Sequence, residues 1–358
     1  MRGFVFNGPG KAPTLEALAD PEPGPGEVLL RVGANTVCGT DLRIMRGEKT
    51  SGVDVGVVLG HEVAGTVAAV GDDVEGYTVG DLCGIVPVLA CGRCRMCQAG
   101  LEHQCTAASI VGYGVNGGLA DLMLVPEIGV LTGHLVPATA DIPPEQLALA
   151  EPLSCCINGL DQYRVDVGDT VVILGAGPIG LLHLQLARLS GATTVIVSDP
   201  AGSRRDAAAE LGATMTVDPT AADLPTVVAD ATGGRGADVA VVCIGHPELV
   251  NDALRLVRVR GRVSIFAGLS GRGWAEIEAN LVHYRELTVV GASNSARAHY
   301  ERAVDLICRG WIDTERLVTH RFPLDRASEA IDFVASGEGL KVAVIPDLDD
   351  DERNGHGH

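Results

Sequence analysis

The sequence predicts an α/β protein in two parts: an irregular β-rich region over roughly the first 150 residues, then a doubly wound parallel sheet with helices on both faces. Three observations predict it. The first part consists of short apolar runs separated by Gly and Pro. The second alternates strand-like apolar runs with helical ones. A glycine-rich turn, "GAGPIG", follows the first strand-like run of that second part. At 358 residues the chain is long enough for about two domains of ordinary size.

Taken in order, "EVLLRV" (Glu27–Val32), "EVAGTVAAV" (Glu62–Val70) and "DLCGIVPVL" (Asp81–Leu89) read as strands, divided by "PEPGPG" and "GDDVEGYTVGD". Beyond residue 150, "DTVVILGAG" is a strand, "PIGLLHLQLARLSG" a helix, "TTVIVSDP" a strand, and "SRRDAAAELGA" a helix stopped by Gly212. "ADVAVVCIG", "GRVSIFAGL" and "LTVVGAS" supply further strands. "YERAVDLICRGWI" and "RASEAIDFVASGE" read as amphipathic helices, followed by the short strand "KVAVIP". The tail "DLDDDERNGHGH", 347–358, is too polar to join a core and is expected to be disordered.

Composition narrows the function classes. A net charge of −19 without a Lys/Arg cluster repels phosphate backbones and anionic lipid, so nucleic acid and membrane surfaces are not expected partners. The N-terminus lacks the apolar run of a signal peptide, and the expected location is cytoplasmic. Thiols stay reduced there, so the ten cysteines point to metal rather than to disulfides.

In "GAGPIG", Gly175 permits a tight turn, Gly177 lets a pyrophosphate approach the backbone, and Gly180 lets helix and sheet pack closely. Pro178 and Ile179 open the helix, whose N-terminal dipole and free N–H groups favour phosphates. Asp199 ends the next strand, where a carboxylate binds ribose hydroxyls and repels a 2′-phosphate. The expected cofactor is therefore NAD in preference to NADP. Arg204 and Arg205 follow, placed to stack on adenine or to accept a phosphate.

"CGRCRMCQAGLEHQC" spaces Cys91, Cys94, Cys97 and Cys105 for one tetrahedral Zn²⁺. Four thiolates leave no open position, so this site builds structure. Catalysis needs an open metal site, and its candidates lie elsewhere: "VCGTDLR" with Cys38, Thr40, Asp41 and Arg43, "GHEVAG" with His61 and Glu62, and "AEPLS" with Glu151.

Together these motifs resemble the zinc-dependent medium-chain alcohol dehydrogenase family, from about Val5 to Pro346. The stretch from Gly60 to Gly71 fits its G-H-E-x2-G-x5-G signature, and "NGGLADLMLVP" is similar to the strand after its zinc lobe. The resemblance implies a GroES-like β-rich catalytic domain with a structural zinc lobe over 1–150. It also implies a Rossmann NAD-binding domain over 151–290 and a return to the catalytic domain over 291–346. It implies two Zn²⁺ per chain and a homotetramer or homodimer. Cys38 and His61 become catalytic zinc ligands. Glu151 stands where the alcohol branch has a second Cys, as in the sorbitol, threonine and sugar branch, and binds zinc directly or through water while Glu62 approaches during ligand exchange. Cys155 or Cys156 is the alternative ligand. Asp41 resembles the carboxylate that orients the zinc-bound imidazole. Thr40 matches the proton-relay hydroxyl. Arg43 replaces the relay His of many relatives, and arginine is no base near neutral pH.

The implied reaction moves hydride from a secondary alcohol of a polyol, sugar or cyclitol to NAD⁺, giving a ketone or lactone. Threonine-type amino-alcohol oxidation and carbonyl reduction use the same site. A non-catalytic nicotinamide-binding protein would keep the fold without Cys38, His61 or Thr40, and all three are present. Asn294, Arg297 and His299 read equally as cofactor or substrate contacts and as a helix-capping loop.

Overall fold

The computed structural model describes residues 1–269 and 273–348. Within it the chain forms two compact units, Met1–Ser154 with the chain from Asn294 onward, and Cys155–Ser293. The sequence reading divides the chain after 150 and 290. Most of the expected tail, 349–358, lies outside the described residues. Leu348 falls inside that expected tail, yet it is only 3% exposed, because its N–H returns to the Ile345 carbonyl and folds the apolar side chain inward.

The first unit is organised by a seven-stranded sheet. Its path runs Val318–Pro323, Lys341–Ile345, Val28–Thr36, Glu62–Val70, Leu82–Ile85 and Leu135–Pro137, and Leu122–Val125 also pairs with Val28–Thr36. Pro87 has no N–H to give a ladder, so the single strand expected over Asp81–Leu89 is two, Leu82–Ile85 and Val88–Leu89. Strand register positions the site. Thr36 is opposite Glu62 on one side and Ala343 on the other. The last strand of the chain thus lies beside the strand that delivers Cys38.

The second unit is a six-stranded parallel sheet in the order Met215–Val217, Thr194–Ser198, Thr170–Leu174, Ala237–Val242, Val257–Ile265, Thr288–Gly291. Counted along the chain this is 3-2-1-4-5-6, the doubly wound arrangement of dinucleotide-binding sheets. The central strands are buried on both faces, which is why they read as continuous Val/Ile runs without alternation. Val172, Ile196, Ala240 and Val263 meet helix residues Ala253 and Leu254 in one core.

Candidate metal centres and nucleotide turn

The cysteine lobe closes on itself. Cys94 precedes the short helix Arg95–Gln98, which returns Cys97 towards it. Sγ–Sγ distances are 3.5 Å for Cys94–Cys97, 3.8 Å for Cys94–Cys105 and 3.9 Å for Cys91–Cys97. A tetrahedron with Zn–S bonds of about 2.3 Å has edges of about 3.8 Å, so the donor set fits zinc without rearrangement. The N–H groups of Arg93 and Cys94 pull the Cys91 thiol down to about 6, whereas burial pushes Cys97 up to about 12. Such a set favours a metal that replaces the protons.

The second centre is assembled from two strand ends. Cys38 follows the strand Val28–Thr36 and caps the helix Gly39–Met45. Thr40 lies in its first turn, Oγ1 3.6 Å from Cys38 Sγ. Asp41 is buried and serves both ligands: Oδ2 accepts the Cys38 N–H at 2.9 Å, and Oδ1 lies 3.2 Å from His61 Nδ1. That second pairing is close but not aligned as a linear hydrogen bond. It leaves Nε2 as the metal-facing nitrogen. Burial opposes a charge on His61, but Asp41, Tyr113 and Cys38 together outweigh it and hold the imidazole pKa well above its usual value. His61 is placed by Gly60, whose φ is +98° and where a Cβ would meet Asn35 Oδ1 at 2.4 Å.

Cys38, His61 and Glu62 bring ligand atoms within 4.8 Å of one another, the second such group among the described residues beside the four cysteines. Glu151 is not in this group. It occupies the first turn of the helix Ala150–Tyr163, and its charge is felt by Tyr113, Lys341 and Tyr300. Cys156 donates to the Ile179 carbonyl at 3.8 Å instead of joining the ligands. His299 accepts the Ala296 N–H at 3.0 Å and the Arg297 N–H goes to Glu102, so these residues cap a helix.

Four residues at this centre escape the sequence reading. Lys341 donates to both Glu62 oxygens, and Thr36 Oγ1 donates to one of them. Tyr113 packs edge-on to His61, ring centroids 5.7 Å apart. Lys49 Nζ lies 5.0 Å over the Tyr113 ring. The one available signal is a lysine opening the buried strand "KVAVI", a residue type that is buried only when paired.

In the second unit, Gly175 has φ +105° and Gly180 has no room for a Cβ, which would stand 1.9 Å from the Gly175 carbonyl oxygen. At Gly177 a Cβ would meet nothing within 4 Å, so the backbone faces open space at the start of the helix Pro178–Leu189. A cavity of about 770 Å³ is lined by Gly175, Ser198, Pro200, Thr220, Ile244 and His246, among others. Asp199 is buried, its oxygens accepting the Ala176 and Ala201 N–H groups at 2.8 Å each. Arg205 is pinned to the Asp199 and Pro200 carbonyls and to Asp218. This geometry fits a dinucleotide whose phosphates lie against the turn.

Residues 24–135 match the alcohol dehydrogenase GroES-like domain family, and residues 178–309 match the zinc-binding dehydrogenase family. The chain is 33% identical to the L-threonine 3-dehydrogenase of Pyrococcus horikoshii over 96% of this chain and 98% of that one. It is 32% identical to the erythritol/L-threitol dehydrogenase of Mycolicibacterium smegmatis over 97% and 98%. A Sinorhizobium meliloti structure described as a zinc-binding dehydrogenase bound to NADP superposes with a TM-score of 0.89 at 37% identity, covering 96% of this chain and 99% of that one. Among the described residues no helix is long and apolar enough to cross a membrane.

Proposed function

The chain belongs to the zinc-dependent medium-chain alcohol dehydrogenase family, and from that premise we propose that it oxidises a secondary alcohol of a polyol, sugar or cyclitol with NAD⁺. The observation that carries this reading is the junction of Cys38, His61 and Asp41, with Thr40 in the first turn of the helix that Cys38 caps. Zinc held there supplies Lewis acidity to a substrate hydroxyl, and the nicotinamide supplies the hydride acceptor.

The chain's own residues do the remaining work. Cys38 and His61 hold the metal, with Glu151 as the third protein donor. Asp41 fixes the imidazole with its proton on Nδ1. Thr40 receives the hydroxyl proton. Arg43, half exposed and 3.9 Å from Glu48, is no base, so that proton passes onward to water. Lys341 neutralises Glu62, which leaves the thiolate and Glu151 as the negative donors. In the second unit the turn at Gly175–Gly180 binds the phosphates, with Pro178 and Ile179 at the helix start. Asp199 sets the preference for NAD, and Arg204 stacks on the adenine. The cytoplasm is the proposed location and a homotetramer or homodimer the proposed assembly.

The test is reduced-nicotinamide formation by zinc-loaded protein with NAD and NADP in parallel. The panel covers acyclic polyols, aldoses, inositols and L-threonine. Turnover with NAD on one of the first three classes supports the reading. The similarity to the Pyrococcus horikoshii enzyme favours L-threonine as the second reading, and turnover of threonine alone would select it. Silence with only one zinc per chain would overturn both.

A further inference from the structure

Lys49 and Tyr113 form a cationic wall beside the catalytic metal ligands. Tyr113 is 7% exposed, and its ring stands edge-on to His61 with centroids 5.7 Å apart. Its ring therefore borders the imidazole of the Cys38–His61 centre. The phenol makes no hydrogen bond among the described residues, which leaves it an unengaged donor. Over the same ring lies the Lys49 ammonium, 5.0 Å from the centroid. These two spacings put a cation one aromatic ring away from the zinc-ligand imidazole.

Among the described residues Lys49 makes no ion pair, in a chain carrying 46 acidic residues against 27 basic ones. The nearby carboxylate of Glu48 is directed to Arg43 at 3.9 Å. The one charge registered on Lys49 is Arg43 itself, a like charge on the same turn, where the Lys49 N–H bonds the Arg43 carbonyl at 3.1 Å. A half-buried ammonium is normally paired, and a face of the ring offsets only a fraction of its lost hydration. The arrangement lacks a single negative charge at a fixed place relative to the metal.

We infer that Lys49 and Tyr113 receive a carboxylate of the substrate, so that the preferred substrate is a polyhydroxy acid whose reacting secondary hydroxyl lies a few carbons from that carboxylate. One ammonium and one phenol suit a monoanion; a phosphate dianion calls for a denser set of donors. Lys49 is a specificity-determining residue in this account, and it leaves the metal chemistry to the residues described above. The inference rests on reading the Cys38–His61 centre as the place of oxidation.

The test compares four- to six-carbon aldonates with matched alditols and sugar phosphates, using zinc-loaded enzyme, Lys49→Met and Lys49→Arg. Calorimetric binding of the aldonates is measured alongside turnover. The wild type should prefer aldonates in kcat/KM by roughly tenfold or more, a preference that weakens with added salt. Lys49→Met should raise KM for aldonates roughly tenfold more than for alditols, with the loss in KM and not in kcat, and Lys49→Arg should keep the preference. Equal effects on both substrate classes, a loss confined to NADH affinity, or a preference for sugar phosphates would overturn the inference. Turnover of alditols without aldonate binding would overturn it and spare the dehydrogenase reading. Aldonate binding that depends on Lys49 without any turnover would do the reverse.

Discussion

Lys341 donates to both carboxylate oxygens of Glu62, at 2.5 Å to Oε1, across 279 residues of sequence. Both side chains are almost fully buried. Burial opposes the charge on Lys341, but Glu62, Cys38 and Glu151 together outweigh it and hold the ammonium pKa above its usual value. The pairings Ala343↔Thr36 and Thr36↔Glu62 set the strands of Lys341 and Glu62 on either side of Val28–Thr36, and the long lysine side chain reaches across that strand to the carboxylate.

Removing one partner leaves a buried charge uncompensated. Lys341→Met is therefore expected to cost about 3–5 kcal/mol of stability. The double variant Lys341→Met with Glu62→Gln should recover much of that loss. Chemical denaturation of the four-member cycle checks it, and additive losses would remove the pairing from the stability of the first unit.

The two metal centres should separate by mutation. Cys38→Ser or His61→Ala should abolish turnover and lower zinc to about one per chain while the fold persists. Cys94→Ser should instead loosen the cysteine lobe and lower stability. Metal analysis with circular dichroism reads both, and an equal loss of fold in all three variants would overturn the division.

Asp41 bonds the Cys38 N–H and stands 3.2 Å from His61, so it orients both ligands at once. Asp41→Asn keeps the shape but removes the charge. Zinc affinity at this centre should fall roughly 10–100-fold. Competition with a chromogenic chelator measures it, and unchanged affinity would exclude the orienting role.

Asp199 couples the cofactor turn to the end of its neighbouring strand through the Ala176 and Ala201 N–H groups. Asp199→Ala should raise KM for NAD and reduce the preference over NADP. Kinetics with both cofactors decide, and an unaltered ratio would take Asp199 out of discrimination.

His183 is buried on the helix Pro178–Leu189, bonded to the Tyr163 hydroxyl at 3.0 Å and packed on Phe266. Burial lowers its pKa from 6.5 to about 3. The unfolded chain takes up this proton near pH 6.5 and the folded chain only near 3, so the neutral side chain adds no pH dependence above that window. Stability should fall as pH drops through it, by about 1.4 kcal/mol per pH unit from this group. His183→Phe should flatten that part of the denaturation profile, and an unchanged slope would exclude His183 as its source.

Local sequence determined the cysteine lobe, the glycine turn and the Cys38 and His61 pair, because each depends on spacing within a few residues of one loop or strand end. The continuous apolar strands of the parallel sheet were legible for the same reason. Tertiary structure alone decided that Glu62 is neutralised by Lys341, that Glu151 stands outside the tight ligand group, and that Tyr113, with Lys49 over its ring, packs against His61. The physical reason is that a charge on an isolated strand or turn carries no sign of its partner. Only the antiparallel register of Lys341–Ile345 on Val28–Thr36, and the packing of Tyr113 against His61, bring groups distant in sequence within the reach of a hydrogen bond or a ring contact.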